Sequence, residues 1–542
     1  MNDTESTQPE QQPESISRRS FLTGAGSGIA ATGLVGCGTT RRPARPTAAA
    51  AATAPYDSLR DYIGALEAHG MVRRFERVDQ DAYEGTAIMY RLVDRFGRMR
   101  TPVVVFDEVR IGGRWMRGPV IANHLRHIDC EALLFGLAPV PYDDVATYRV
   151  ARAHLDRMLA DNDGQYPVIA PVQIARETAP CKEVVVDGDD IDLTSLPFFR
   201  NNPGDSGRFI NTATVLTSDP DMGLNLGTYR CEIKGPRLIS VGTGEGQRGF
   251  RMLMAAKERG ETSAPIALVL GQDPIIWLVS GARIPAPQGR KPVDELGTAG
   301  GLRGRAVEIL AADTNELPVP AHAEMIIEGV VTFDEFLPNG PYCESPGYVG
   351  AVYEKSFHMD VTRITHRRDP WFVNDFTGVT KPLIEAPSAA LTVAGLRRFV
   401  PELVDYRWVD SVTFFSMRKS EPGQALKLGK QLAKLIPIFK IVVMVDEDVD
   451  LMNPADLFLA FSTRWQAHPA SEIMRNMPTM PLEPSAPTRG MTSKIVIDAT
   501  RQWPEEGGPA EYPELSRALL AAHAPGIFAR VDEKWGQRIV AP

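Results

Sequence analysis

The chain is poor in cysteine and histidine and has no excess of basic side chains. Its 542 residues include five cysteines and nine histidines, and no two cysteines have the CxxC spacing of thiol-ligated zinc sites. This scarcity excludes a zinc ribbon and a disulfide-dense scaffold. The formal net charge of −9 argues against a nucleic-acid-binding protein, because phosphate neutralisation requires clustered lysine and arginine. We therefore expect a small-molecule partner and no nucleic acid.

The sequence also lacks an apolar run of the ~20 residues that a membrane-spanning helix needs. A shorter, glycine-rich apolar stretch follows Ser17-Arg18-Arg19-Ser20-Phe21-Leu22 and ends at Cys37. This order resembles a twin-arginine signal followed by a lipobox, which implies export by the twin-arginine translocase and lipidation of Cys37. We expect residues 1–36 to be the removed signal, residues 37–55 to be a flexible tether, and the body to face the periplasm at the membrane.

Hydrophobic residues make up 43% of the chain, which is sufficient for several domains with sizeable cores. Asp57 or Ser58 predicts the start of a helix that ends near Gly70, and the apolar run after Thr101 predicts a buried strand. The fold class is therefore predicted as α/β (α+β), in four parts. These are an N-terminal α/β unit (56–166), a strand-rich, split-barrel-like or sandwich part (167–370), a C-terminal α/β domain suited to oligomerisation (371–490) and a C-terminal extension (491–542).

Three short motifs are compatible with known chemistry but are weak in this context. Gly204-Asp205-Ser206-Gly207 has the letters of a serine-protease nucleophile loop, yet it follows a proline-rich linker and is better interpreted as a turn before a strand. The glycine-rich loop 242–246 is not followed by the Lys-Ser/Thr of a nucleotide loop. His124 and His127 lie three residues apart without a nearby carboxylate pattern, so they predict no metal site.

Two longer segments are more specific. The first runs from Arg208 to Arg230 and predicts two strands joined by a turn, with Asn225 five residues before Arg230. The second is Asn339-Gly-Pro-Tyr-Cys-Glu344. With the opening Leu59-Arg60-Asp61-Tyr62 helix and several segments between, they resemble the UbiD-type decarboxylases over most of the chain. The family hallmark is an arginine on such a hairpin and a later Glu-Gly-Pro-Phe-Gly-Glu segment.

The resemblance implies prenylated FMN as cofactor, with the protein supplying position, charge and a proton. It implies that Arg230 pairs with the substrate carboxylate or with the catalytic glutamate, and that Glu344 is the acid that protonates carbon after CO2 leaves. Asn225 and Glu295 would hold a divalent ion, Mn or Mg, at the cofactor phosphate. The full set of implied cofactor contacts is Asn225, Gly227, Thr228, Tyr229, Arg230, Gln247, Arg248, Ser280, Gly281, Ala282, Glu295 and Lys440.

The sequence departs from the family pattern at two positions. Asn339 stands where the family has the first glutamate of its Glu-Gly-Pro-Phe-Gly-Glu segment, so the catalytic network loses one negative charge. Arg248 stands where many relatives have a metal-ligating histidine. Arginine does not ligate metals, but its permanent charge suits a phosphate. The sequence therefore supports neither the presence nor the absence of a divalent ion at this position.

Two functions of different classes remain. The first is a prenylated-FMN-dependent decarboxylase, reversible or not, of an aromatic, heteroaromatic or α,β-unsaturated acid. The second is a periplasmic flavin-binding or ligand-binding relative in which Arg230 and Glu344 form only a fold-stabilising ion pair. The resemblance further implies a flavin prenyltransferase as the source of the cofactor and a homo-oligomer.

Overall fold

The structure is a computed structural model that describes residues 53–282, 294–381, 383–409, 412–480 and 482–540. The predicted twin-arginine signal and the lipobox with Cys37 lie outside these residues. No helix among the described residues has the length and apolarity to cross a membrane.

The N-terminal part alternates helices and strands, as predicted. Ser58 and Asp61 form a capping box, in which each side chain accepts a hydrogen bond from the backbone N–H of the other. Gly70, with φ +71°, follows the end of this helix. The elements are α1 (Leu59–Ala68), β1 (Val72–Asp79), α2 (Glu84–Phe96), β2 (Val103–Ile111), β3 (Arg114–Ala122), α3 (Cys130–Leu133) and α4 (Asp144–Ala160).

The central part is strand-rich, which confirms the prediction. Its elements are β4 (Val172–Gln173), β5 (Val184–Asp187), β6 (Phe209–Ile210), β7 (Thr214–Asp219), β8 (Gly223–Thr228), β9 (Arg230–Gly235), β10 (Leu238–Gly242), α5 (Arg248–Glu258), β11 (Ser263–Leu270), α6 (Pro274–Gly281), α7 (Glu295–Arg303), β12 (Glu308–Ala311), β13 (Pro318–Pro320), β14 (Met325–Thr332), β15 (Leu337–Asn339), β16 (Tyr353–His366) and β17 (Phe372–Val373).

The first of the two strands predicted between Arg208 and Arg230 is divided in the structure between β6 and β7. The division falls at Asn211, whose side-chain amide donates to the carbonyl of Asp375 (2.7 Å) and whose Oδ1 accepts from the N–H of the same residue (3.0 Å). These bonds tie the segment to the chain after β17 instead of to a neighbouring strand. Local side-chain bonds of this kind compete with a strand ladder.

The C-terminal part returns to α/β alternation. Its elements are α8 (Ala386–Leu396), β18 (Leu403–Val409), β19 (Val412–Met417), α9 (Gln424–Leu435), β20 (Ile441–Asp446), α10 (Pro454–Thr463), β21 (Ser471–Pro478), β22 (Met491–Asp498), α11 (Ser516–His523) and α12 (Ile527–Val540).

Four sheets organise the described residues. Three have a simple strand order: β1-β2-β3-β17, β13-β12-β4 and β18-β19-β20-β22-β21. The largest has ten strands in the order β6-β9-β10-β16-β14-β11-β7-β8, with β5 and β15 also paired to β16. Strand β22 lies between β20 and β21, so the C-terminal sheet extends past residue 490, where the sequence predicted the domain to end.

The ten-stranded sheet is buried on both faces. Val215 and Leu268 belong to one apolar cluster, whereas their chain neighbours Leu216 and Val269 belong to another on the opposite face. Successive side chains of a strand point to opposite faces, so continuous apolar runs are what a doubly covered sheet requires. This arrangement gives β9, β10 and β16 a rigid base, and these strands carry the site described next.

Candidate active site

Strand pairing brings together two of the residues that the sequence analysis selected. Arg230 at the start of β9 lies opposite Gly242 on β10, and Asn339 on β15 lies opposite Tyr353 on β16. A Cβ on Gly242 would stand 2.7 Å from Oδ1 of Asn339 and 2.8 Å from Cγ of Arg230. Gly242 therefore permits the close approach of these two side chains, which no larger residue allows without a shift.

The guanidinium of Arg230 is held by several acceptors. Its Nε donates to Oδ1 of Asn339 (2.7 Å), and its Nη2 donates to the carbonyl of Asn339 (3.1 Å). Its Nη1 donates to Oε1 of Glu344, and the Tyr353 ring lies under the guanidinium with its centroid 3.9 Å from Cζ. The amide of Asn339 in turn donates to the carbonyl of Ser240 (2.9 Å). The orientation of Arg230 is thus fixed from three sides.

Glu344 is positioned by the loop that precedes it. The Cys343 N–H donates to Oδ1 of Asp205 (2.7 Å), and the Ser206 N–H donates to the carbonyl of Pro341 (2.9 Å). The turn Gly204-Asp205-Ser206-Gly207 therefore holds the segment 341–344 in place, in agreement with its interpretation as a turn. Nothing in its contacts resembles a nucleophile loop.

The electrostatic environment of Glu344 raises its pKa. Its side chain is 13% exposed and that of Arg230 is 6% exposed. Burial raises the pKa of Glu344 above the usual carboxyl range, against the lowering effect of Arg230. Because Asn339 is neutral, Glu344 is the one carboxylate hydrogen-bonded to Arg230 among the described residues. The arrangement can bind an anion at Arg230 and hold a transferable proton at Glu344.

The predicted cofactor contacts on β8 form a second group beside the first. The phenol of Tyr229 accepts from the Asn225 amide (3.3 Å) and from the Gly249 N–H (3.2 Å). Gly227 lies against this phenol, where a Cβ would stand 2.3 Å from the ring. The hydroxyls of Thr228 and Ser280 are 2.9 Å apart, so the end of β8 and the end of α6 meet here. The sequence therefore identified residues that do lie together.

Arg248 and Glu295 form a buried ion pair, with 3.0 Å between Nη1 and Oε1. Burial raises the pKa of Glu295 to about 7, against the lowering effect of Arg248. Among the described residues, no group of three His, Cys, Asp or Glu side chains could hold a metal ion. Asn225 and Glu295 offer too few ligands, and the third position carries a cation. The donor set therefore does not fit a divalent ion.

The residues present do fit a flavin phosphate and ring. The buried polar atoms without a hydrogen-bond partner among the described residues include Oγ1 of Thr243, Oε1 of Gln272 and Oε2 of Glu295. The first turn of α5 receives no side-chain cap from Gln247, whose Oε1 accepts from the Gly244 N–H (2.6 Å). Helix N-termini with free N–H groups bind phosphates, and buried polar atoms require partners.

Some predicted contacts are placed elsewhere. Lys440 pairs with Glu483 and donates to Oγ of Ser485 (2.6 Å), both within the C-terminal part. Its ammonium is thus engaged by a carboxylate instead of facing the β8 residues. Gly281 packs against Leu383, and the N–H of Ala282 donates to Leu278 at the end of α6. These last two residues shape the backbone near Ser280.

The sequence analysis missed three residues that hold the catalytic pair. Tyr353 stacks on Arg230, Ser240 accepts from Asn339, and the carboxylate of Glu232 accepts from the Gly340 N–H (2.8 Å). Glu232 lies two residues after Arg230 on the same strand, and this i+2 spacing is the single signal that could have indicated a shared face. Tyr353 becomes a neighbour only through the register of β15 and β16.

Comparisons with known proteins match two family models. One is the 3-octaprenyl-4-hydroxybenzoate carboxy-lyase Rift-related domain (UbiD), over residues 172–380. The other is the 3-octaprenyl-4-hydroxybenzoate carboxy-lyase C-terminal domain, over residues 381–499.

Solved structures of decarboxylases are also similar. The vanillic acid decarboxylase of Sedimentibacter hydroxybenzoicus in its open form is 26% identical, with a TM-score of 0.75, over 90% of this chain and 100% of that one. HmfF from Pelotomaculum thermopropionicum in complex with FMN is 23% identical, with a TM-score of 0.70, over 87% and 98%. An evolved dimeric HmfF has been solved with prFMN, at 22% identity and a TM-score of 0.67, over 88% and 98%. At these lower identities the HmfF structures support the fold alone.

The two family models together match more than half of the chain, and the pair of Arg230 and Glu344 occupies the place that the resemblance assigned to it. The chain therefore belongs to the UbiD family, and the enzyme is a carboxy-lyase.

Proposed function

We propose that this enzyme is a prenylated-FMN-dependent, non-oxidative decarboxylase of an aromatic, heteroaromatic or α,β-unsaturated carboxylic acid, or a catalyst of the reverse reaction. The observation that carries the proposal is the contact between Arg230 and Glu344, a carboxyl whose pKa burial raises. A raised carboxyl pKa weakens a structural ion pair, whereas it assists a general acid.

Bound prenylated FMN would supply the electron sink that loss of CO2 requires. Nη2 of Arg230 donates to the carbonyls of Asn339 and Ala351 (3.4 Å), but Nη1 retains one N–H beyond the one that Glu344 accepts, so Arg230 can orient a substrate carboxylate. Glu344 holds a proton beside that carboxylate and delivers it to the carbon after CO2 leaves. Burial of the pair excludes competing water, which keeps the proton transfer directed.

Arg248 takes the role of the missing divalent ion in this proposal. Its guanidinium lies next to Glu295 and at the start of α5, where the first-turn N–H groups other than that of Gly249, which Tyr229 accepts, favour an anion. The residues that would hold the phosphate are Thr243, Gln247 and Arg248. A cation supplied by the chain itself would make cofactor retention insensitive to chelators.

The proposal is tested with protein from cells that co-express a flavin prenyltransferase. We expect a bound flavin in the absorbance spectrum and CO2 release from at least one acid of a panel that covers the three substrate classes. The same protein from cells without the prenyltransferase is the control and should release none. A loaded protein that releases no CO2 from any acid would favour the second candidate, a flavin-binding or ligand-binding relative.

We further propose that the enzyme is exported and anchored through Cys37, on the strength of the arginine pair and the lipobox alone. The twin-arginine route carries folded proteins, so the cofactor would be loaded in the cytosol before export. Changing Arg18 and Arg19 to Lys should leave the protein in the cytoplasm, as fractionation would show. Export of an unfolded, cofactor-free chain would contradict this route.

A homo-oligomer is also part of the proposal. Among the residues of α11 and α12 whose exposure the structure describes, none is a buried hydrophobic, and the large apolar side chains that are exposed include Leu519, Leu520, Phe528, Trp535 and Ile539. Exposed apolar clusters of this kind favour association. Light scattering of the purified protein would give the oligomeric state.

A further inference from the structure

Asp375 is a buried acid that the site described above leaves without a role. It lies two residues after β17, and burial raises the pKa of its carboxyl to about 6, against the lowering effect of the Thr377 hydroxyl and the Phe376 N–H. No charged side chain among the described residues contributes to this shift. An ionised carboxylate in such surroundings lowers the stability of the fold, and groups of this kind occur preferentially at functional sites.

Hydrogen bonds link Asp375 to the catalytic segment 339–344. The Thr377 hydroxyl donates to Oδ2 of Asp375 (2.9 Å), and the hydroxyl oxygens of Thr377 and Tyr342 are 2.9 Å apart. The Tyr342 phenol also accepts from the side-chain amide of Asn211 (3.0 Å). We call Asn211, Tyr342, Thr377 and Asp375 the Asp375 network. Tyr342 stands where the family segment has phenylalanine, which has no hydroxyl with which to join such a network.

The direction of these hydrogen bonds depends on the charge of Asp375. An ionised carboxylate only accepts, so Thr377 donates to Asp375 and accepts from Tyr342. The amide nitrogen of Asn211 only donates, so the phenol oxygen accepts from Asn211 while its own O–H points to Thr377. A protonated Asp375 can instead donate to Thr377, whose hydroxyl then turns to Tyr342. The phenol O–H would in that case have no acceptor within the Asp375 network.

The Tyr342 ring connects this network to the catalytic pair. Cζ of Arg230 lies 5.7 Å from the centroid of the Tyr342 ring, and the Phe209 ring packs against the same ring with its centroid 4.6 Å away. Glu344, which accepts from Arg230, follows Tyr342 by two residues. The hold on the phenol therefore bears on the position of both catalytic side chains.

We propose that Asp375 is a positioning residue, which orders the catalytic segment 339–344 through Thr377 and the Tyr342 phenol while the Asp375 carboxyl is ionised. This inference rests on the proposed decarboxylase function and adds a residue that serves it. Below about pH 6 the carboxyl takes up a proton, the hydrogen bonds turn, and Tyr342 is held less firmly against Arg230. Turnover falls with it, because a small misplacement of catalytic groups is costly.

The other titratable and charged groups around the network do not duplicate this behaviour. Arg230 faces the Tyr342 ring and keeps its charge at all relevant pH values. Burial, Asp375 and Asp205 all raise the pKa of Tyr342, so the phenol stays protonated. Burial also raises the pKa of Asp205, but Asp205 acts on the segment through the Cys343 N–H and not through the phenol. The side chains that hydrogen-bond to Asp375 are neutral: Asn201, Asn211, Asn374 and Thr377.

The first test measures kcat against pH for cofactor-loaded, full-length protein, with the acid of the panel that the wild type decarboxylates fastest. We expect the wild-type kcat to fall about tenfold between about pH 7 and about pH 5, the effect of protonating one required carboxylate. Tyr342→Phe has no group to titrate there, yet it should remove this acid limb and lower kcat at neutral pH. Thr377→Val should act likewise, whereas Thr377→Ser keeps the hydroxyl and should restore the wild-type profile.

The second test needs no substrate. The raised pKa of Asp375 gives stability that is present below about pH 4 and is lost as pH rises through about 6. Asp375→Asn should therefore raise the melting temperature at neutral pH while it lowers kcat, whereas loss of a purely structural carboxylate would lower both. Hydrogen exchange of the backbone N–H groups in 339–344, corrected for its intrinsic pH dependence, should show protection that falls below about pH 6 in the wild type alone.

Tyr166→Phe is the matched control, because Tyr166 is also a buried tyrosine and its hydroxyl donates to the Pro387 carbonyl (2.6 Å). It should keep the acid limb and the protection of the wild type. An acid limb that persists in Tyr342→Phe, a lower melting temperature of Asp375→Asn at neutral pH, or the same changes in Tyr166→Phe would overturn the role of Asp375.

The outcomes distinguish this inference from the function on which it rests. CO2 release without any effect of the Tyr342 and Asp375 variants on the pH profile would support the decarboxylase and overturn the role of Asp375. If no acid releases CO2, protection of 339–344 that depends on pH in the wild type but not in Tyr342→Phe would support Asp375 and overturn the proposed function. Protection that is independent of pH in both proteins would overturn the role of Asp375 as well.

Discussion

Two buried ion clusters lie on the ten-stranded sheet, and they differ in how their charges are matched. In the first, Lys182 lies between Glu328 (2.8 Å) and Asp313 (3.1 Å), and Asp313 also pairs with Arg176 (2.6 Å). The side chains of Lys182 and Glu328 are fully buried. In the second, Arg230 pairs with Glu344 beside the neutral Asn339. We call the group of Lys182, Glu328, Asp313 and Arg176 the saturated cluster, because Lys182 and Asp313 each have two oppositely charged partners. The pair of Arg230 and Glu344 with Asn339 is the catalytic cluster.

The carboxyl groups of the two clusters respond in opposite directions. Burial alone would raise the pKa of Asp313, but Arg176 and Lys182 outweigh it and lower that pKa. Burial raises the pKa of Glu344, and Arg230 does not compensate. The cluster that stabilises the fold thus lowers the pKa of its carboxyl Asp313, whereas the catalytic site raises the pKa of Glu344. The direction of the carboxyl pKa shift therefore distinguishes the cluster that stabilises the fold from the catalytic cluster on the same sheet.

The largest effect is expected from Glu328→Gln in the saturated cluster. Removing this charge leaves Lys182 with one carboxylate partner in a fully buried position, and breaking a buried pair costs about 3 kcal/mol or more. Urea denaturation should show this loss in the free energy of unfolding. Glu308→Gln is the control, since the exposed pair of Glu308 and His322 should contribute no more than about 1 kcal/mol. Similar losses for both variants would contradict the comparison.

Glu344→Gln should affect turnover instead of stability. Glutamine keeps the shape of the glutamate side chain without its charge, so the fold should be retained along with the bound flavin. Turnover should fall by about a hundredfold or more, the scale of a lost general acid. CO2 release and flavin absorbance measure the two effects. Glu354→Gln removes an exposed carboxylate ten residues away and should change neither. Full activity of Glu344→Gln would refute its role.

Asn339→Asp would bring the catalytic cluster closer to the saturated one. The new carboxylate would partly neutralise Arg230 and repel the charge on Glu344, so the pKa of Glu344 should rise further. We expect the alkaline limb of the pH-rate profile to move upward by about one unit. The variant should also hold the substrate less tightly, because Arg230 is then engaged by a second carboxylate. An unchanged profile would show that Asn339 does not tune Glu344.

The smallest effect is expected in the pH dependence of stability, where the clusters should have opposite signs. The lowered pKa of Asp313 gives stability that is present above about pH 4 and is lost as pH falls through its folded pKa. The raised pKa of Glu344 gives stability that is present below about pH 4 and is lost as pH rises through its folded pKa. Melting temperatures across pH should lose the acid slope in Asp313→Asn and the opposite slope in Glu344→Gln.

Much of the site was accessible from the sequence because its residues lie in short, ordered segments. The resemblance placed Arg230 and Glu344 together, and the structure confirms their contact. The comparison with the family pattern also showed that Arg248 replaces a metal-ligating histidine. In the structure Arg248 pairs with Glu295, so this position supplies a cation instead of a third metal ligand. The role implied for Lys440 was different, since Glu483 lies 43 residues away in sequence and nothing local indicates their pairing.

The sequence by itself determined the elements whose causes are local. Ser58, Asp61 and Gly70 set the ends of α1, and the alternation of strand and helix patterns set the fold class, because caps and periodicity act over a few residues. The tertiary structure alone determined the direction in which the pKa of each buried carboxyl is shifted. Whether the pKa of a carboxyl such as that of Glu344 is raised or lowered depends on burial and on partners that distant segments supply, and no local pattern encodes it.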